Sequence, residues 1–206
     1  MRKVVPASLP IDTFEGQAWL GVVPFRMSGV RPQGVPAFPG FSAFPELNVR
    51  TYTVIDGKPG VYFFSLDAAN HFAVAAARLS FRLPYFYARM SCRSGEEIQY
   101  ESHRADRASG PARLVGRYGP TGPVSESEPG SLVSWLTDRF CLYTADRRGR
   151  VHRSEIYHDP WPLQPAGAAF TVNTMVEPIG LVLPDVPPIL HFSRRLDVLI
   201  WPPHRV

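Results

Sequence analysis

The chain is poor in lysine and cysteine and has no long apolar run. Its only lysines are Lys3 and Lys58, against 20 arginines, so chemistry that needs a primary amine has just two side chains to draw on. Cys92 and Cys141 are the only cysteines and lie far apart, without CxxC spacing. That excludes a disulfide framework and a cysteine-based zinc site, and it suits a reducing compartment. No apolar run approaches the roughly 18 residues that span a bilayer. The start is basic, but Pro6, Pro10 and Asp12 interrupt the apolar stretch a signal peptide would need. A cytoplasmic protein without membrane contact is expected. A GxSxG elbow, a P-loop and a GxGxxG turn are also missing.

What is present fits one well-filled domain. Of 206 residues, 45% are apolar and 12% aromatic, and 22 prolines with 16 glycines favour short strands joined by turns over a helical bundle. The formal charge is only +4. The densest basic cluster, Arg147, Arg148, Arg150 and Arg153, surrounds a Gly149 turn and reads as solvated charge at a hairpin tip, so no nucleic-acid partner is expected.

Alternation gives strands over 16–27, 46–54, 61–66, 85–92, 97–104, 112–118, 150–158, 168–176 and 196–201. The stretch 29–45 reads as a loop that Phe38, Phe41 and Phe44 would fold inward, and 159–167 as an irregular proline loop. Asp67 can cap a helix over 68–80, with Phe72, Ala75, Ala76 and Leu79 as its apolar stripe. Ser131 can cap a second over 131–142. About nine strands with two helices suggest a curled sheet or barrel.

His152, Glu155 and His158 tempt a metal reading. On a strand, however, Glu155 points away from the two histidines, and no metal is expected. His71 reads as a structural histidine. The polar run Glu46, Asn48, Arg50 on one face of a strand is more informative, with Leu47, Val49 and Thr51 on the other. Solvent or a pocket can equally explain such a face.

A succession of motifs favours the pocket. LPIDTFEGQAWLGVVPF, FPELNVRTYTV, PWPLQPA and RRLDVLIWP resemble the markers of the YqjF-like family of bacterial proteins, and from Glu46 onward the chain runs through the DGKPG turn, YFFSLDAAN, AVAAAR, FRLPYF and SRRLDVLIWP. The succession resembles, at low identity, that of the acetoacetate decarboxylases. The resemblance implies a mainly β fold with two short helices: a closed or nearly closed antiparallel barrel around a central pocket, spanning 1–206. It also implies that relatives carry a further N-terminal helix and strand, so 17–27 should have an open side.

The same resemblance matches the decarboxylase glutamate to Glu46 and its two adjacent lysines to Tyr85 and Phe86, neither of which can form an imine. The reading it supports is a small-molecule-binding protein without Schiff-base chemistry or cofactor. Glu46, Asn48, Arg50, Tyr62, Arg78 and Tyr85 would line its pocket, and a small carboxylic or keto acid would be the ligand. A rival is a lyase, hydratase or isomerase with Glu46 as proton-transfer group and Tyr85 as acid or oxyanion donor. A third is a structural or interaction barrel whose cavity is packed shut. A homo-oligomer is left open. Whether charged or neutral, a buried Glu46 must be compensated: Arg50 or Arg78 would hold it ionised, and without them it would stay protonated.

Overall fold

The computed structural model describes residues 1–31, 42–106, 108–146 and 148–206. Phe38, Phe41 and Arg147 therefore lie outside the described residues, whereas Phe44 opens a strand and is buried. The elements run β1 (Leu20–Met27), β2 (Phe44–Ile55), β3 (Lys58–Ala68), α1 (His71–Phe81), β4 (Tyr85–Arg93), β5 (Ile98–Arg104) and β6 (Arg113–Pro120). They continue with α2 (Leu132–Thr137), β7 (Cys141–Ala145), β8 (Val151–His158), β9 (Leu163–Asn173), β10 (His191–Ser193), β11 (Val198–Ile200) and β12 (His204–Arg205). The fold is mainly β with two helices, as the alternation implies. Among the described residues, no helix is long and apolar enough to cross a membrane.

β3 organises the sheet. One edge pairs antiparallel with β2 over almost its full length. The other edge is shared: Val61 and Tyr62 run parallel to β7, and Leu66 to Ala68 run parallel to β4. Gly60 permits the approach to β7, since a Cβ there would sit 2.6 Å from the Cys141 carbonyl oxygen. The sheet therefore branches into two wings, β4-β5-β6-β9-β10 and β7-β8-β11, while β1 pairs with β2 alone. Among the described residues these ladders end at open edges, so hydrogen bonding does not close the expected barrel. What brings the wings together is side-chain packing. Leu47 and Val49 of β2, Phe64 of β3, Tyr100 of β5, Leu114 of β6 and Tyr143 of β7 share one core with Val5, Leu9 and Met175.

Three local expectations are corrected. Asp67 does not cap α1; β3 continues through Ala68, and the Asn70 side chain accepts from the Phe72 and Ala73 amides instead. The stripe Phe72, Ala75, Ala76, Leu79 does not face the core. α1 buries Val74 against Phe44 and Ala68, leaving Leu79 84% exposed. The second helix, capped by Ser131 as expected, stops at Thr137, and Cys141 already begins β7. In addition, the supposed proline loop is strand from Leu163 onward.

Candidate functional site

β2 is covered on both faces. Leu47, Val49 and Thr51 are fully buried on the core side, and Glu46, Asn48, Arg50 and Tyr52 alternate on the other. Opposite that second face stand Ala68, Leu66, Phe63 and Val61 of β3, in register with Glu46, Asn48, Arg50 and Tyr52. Glu46 is 3% exposed and Asn48 6%. The polar face is thus interior, which settles the choice between solvent and burial.

Tyr85 reaches this face from β4. Pro84 and the left-handed Arg82 end α1, and Tyr85 then enters the sheet beside Leu66. Its hydroxyl donates to Glu46 Oε1 and Oε2 at 3.2 and 3.1 Å. Tyr100, fully buried, donates to the Glu46 carbonyl at 2.6 Å and pins the backbone of the same residue. Among the described residues, no lysine or arginine forms an ion pair with Glu46. Burial therefore pushes its pKa up to about 8, opposed by the Tyr85 hydrogen bond and reinforced by the Asp67 charge. Burial, and then the Glu46 carboxyl, likewise raise the Tyr85 phenol well above its ordinary value. Near neutral pH burial thus favours the protonated carboxyl, with the Tyr85 hydroxyl also keeping its proton.

The rest of the face is polar but unmatched. Among the described residues, Asn48 Oδ1 and Arg50 Nε are buried without a hydrogen-bond partner, and so is the Trp19 Nε1 of the adjoining apolar cluster. Arg50 crosses the bare Gly21 of β1 and lies with its guanidinium carbon 5.8 Å from the Tyr52 ring centre. It has no carboxylate partner among the described residues. In apolar surroundings such orphaned groups are costly unless something else satisfies them.

Two expected lining residues lie elsewhere. Tyr62 faces the other side, its ring edge-on to Phe64 at 5.3 Å. The cause is a bulge: the pairing steps from Val49–Ser65 to Arg50–Phe63, skipping Phe64 and reversing the side-chain order of β3 beyond it. Arg78 does not reach Glu46. Its Nε donates to the Tyr85 carbonyl at 2.7 Å and its Nη2 to Asp106 at 2.5 Å, and Asp106 also accepts from the Tyr87 amide. Arg78 therefore holds the strand that carries Tyr85. The structure brings together Glu46 and Tyr85, flanked along β2 by Asn48 and Arg50.

Asp67, expected as a helix cap, is instead half of a buried ion pair with Arg104. Arg104 Nε donates to both Asp67 oxygens at 3.1 and 3.0 Å and its Nη2 to Oδ1 at 2.7 Å. The Arg104 guanidinium also lies 4.6 Å from the Phe86 ring centre. An aspartate inside an apolar strand was the available signal. The metal trio is dispersed: His152 approaches Arg82, Glu155 pairs with Lys58 and Arg153, and His158 stacks on Phe140. Two clefts of about 230 Å³ each lie away from Glu46, one beside Ser125, Glu128 and His191, the other beside Phe14, Trp135 and Arg139.

Comparison with known proteins agrees with this architecture. The profile of the family DUF2071, described as an uncharacterized conserved protein, matches residues 1–197. The protein YqjF of Bacillus subtilis (strain 168) is 44% identical over 203 residues, covering 98% of this chain and 83% of that protein. Among solved structures, an acetoacetate decarboxylase superposes with a TM-score of 0.64 at 15% identity, covering 100% of this chain and 80% of the other. The acetoacetate decarboxylase of Legionella pneumophila gives 0.56 at 9%, covering 96% and 86%. The enduracididine biosynthesis enzyme MppR, complexed with pyruvate, gives 0.52 at 13%, covering 99% and 80%. These structures share the fold with this chain.

Proposed function

The chain belongs to the DUF2071 family and has an acetoacetate-decarboxylase-like fold, and from that premise we propose that it binds a small carboxylic or keto acid non-covalently at the Glu46 face of β2. The observation that carries this reading is the row of buried polar groups. Glu46 has no cation, and Asn48 Oδ1 and Arg50 Nε have no partner. With Glu46 protonated, Arg50 leaves the face with a positive charge that a ligand carboxylate would offset. Glu46 and Tyr85 would meet the other end of the molecule, and the apolar groups around Tyr52 and Leu66 would exclude water. Tyr85 stands where the family resemblance places the decarboxylase lysine, so the chemistry there is not that of an imine.

One observation favours a second reading, that of a proton-transfer enzyme. A carboxyl with a pKa of about 8, bonded to a phenol, is matched to general acid catalysis near neutral pH. In that case Glu46 would protonate a developing carbanion or leaving group, with Tyr85 supplying a donor to an oxyanion.

A thermal-shift series with short carboxylic and keto acids tests the binding reading. A bound acid raises Tm in a concentration-dependent way, and Arg50→Met should abolish that rise. A rise of equal size in the Arg50 variant would remove the acid from this site. No rise with any acid, in any buffer from pH 6 to 8, would leave the reading without support.

A further inference from the structure

We infer that the ligand of this site is a short hydroxy acid, with its hydroxyl on Asn48 and its carboxylate on Arg50; the inference rests on the binding reading above. Asn48 Oδ1 is an acceptor without a donor, on a residue more than nine-tenths buried. Arg50 Nε is a donor without an acceptor. The two requirements are of opposite sign. A plain carboxylic or keto acid carries only acceptors in its ionised form: it can satisfy Arg50 and can accept from the Asn48 amide nitrogen, but it leaves Asn48 Oδ1 without a donor. A hydroxyl gives Asn48 the proton it lacks and keeps its own lone pairs for a further donor. Glu46, protonated and bonded to Tyr85, lies next along the face and can supply that donor.

The spacing bounds the size of the molecule. Asn48 and Arg50 are two positions apart on one strand face, so their Cα atoms are separated by about 6.5–7 Å. A hydroxyl one or two carbons from the carboxylate suits that separation. Trp19 Nε1, also without a partner, belongs to the same apolar cluster as Tyr52, Leu66 and Tyr85. The aromatic and aliphatic groups of that cluster suit a short alkyl remainder. A long or multiply charged ligand would bring charges that nothing on this face answers.

Matched pairs differing only at the hydroxyl-bearing carbon test the inference: lactate against pyruvate, and 3-hydroxybutyrate against acetoacetate, each titrated calorimetrically into the full chain. In at least one pair the hydroxy acid should bind tenfold or more tightly than its keto partner. Asn48→Leu should bring the two affinities of each pair to within about twofold of one another, and Asn48→Ala repeats the test should the leucine variant fold poorly. Keto acids binding as tightly as hydroxy acids in both pairs would overturn the hydroxyl assignment and leave the site standing. Absence of binding by all four acids would overturn the assignment and the binding reading together.

Discussion

Tyr85 Oη lies 3.1 and 3.2 Å from the two carboxyl oxygens of Glu46, and burial of the pair goes uncompensated by any cation among the described residues. The relationship joins residues 39 positions apart, one from β2 and one from β4, with β3 and α1 between them in the chain.

The first consequence is a pH dependence of stability with an unusual sign. Glu46 has a pKa of about 8 in the folded chain against 4.5 when exposed. Between those values the folded state keeps a proton that the unfolded state releases. Stability contributed by this group is therefore full below about 4.5 and falls as pH rises toward about 8, with a limiting slope of about 1.4 kcal/mol per pH unit. Glu46→Gln removes that slope. Urea denaturation from pH 5 to 8 should show the variant gaining on the parent as pH rises; a constant difference would contradict the burial argument.

The two arginines near Tyr85 should differ sharply in their contributions. Arg104 and Asp67 have side chains 1% and 0% exposed, whereas Arg78 is 40% exposed. Arg104→Met leaves a buried aspartate unpaired and should cost about 3–5 kcal/mol. Arg78→Met, breaking a more exposed pair with Asp106, should cost about 1 kcal/mol or less through that pair. Denaturant midpoints of the two variants, measured side by side, check the order.

Lysine chemistry should be silent. Lys58 opens β3 and is held to Glu155 at 2.6 Å, and Lys3 is exposed near the N-terminus. Borohydride reduction in the presence of acetoacetate should leave the mass of the chain unchanged. A stable adduct mapped to either lysine would refute the non-covalent reading.

The strands were legible because alternation survives burial: β2 was readable down to which residues share a face, and Glu46, Asn48 and Arg50 do share one. Long-range choices were not. Tyr62 changes sides because a single bulged residue, Phe64, resets the period of β3, and no residue type in YFFSL marks that step. α1 misleads for another reason. Alanines fill both its faces, so the apolar stripe through Phe72 and Leu79 competes with one through Val74, and packing on Phe44 and Ala68 selects the latter. Arg78 follows from the same rotation, which carries it to the Tyr85 carbonyl instead of Glu46. The branching of the sheet depends on β3 dividing one edge between β4 and β7, a tertiary choice with no local signature.

The account is tested most directly by the titration of Glu46 itself. Carboxyl-carbon NMR of glutamate-labelled protein, with the Glu46 signal assigned by its loss in Glu46→Gln, follows the proton on this one group. The account predicts a midpoint near 8, moving further upward in Tyr85→Phe, where the hydrogen bond that lowers it is gone. A midpoint near 4.5, unaffected by the Tyr85 substitution, would mean that Glu46 is solvated and charged, and the site as described would not exist.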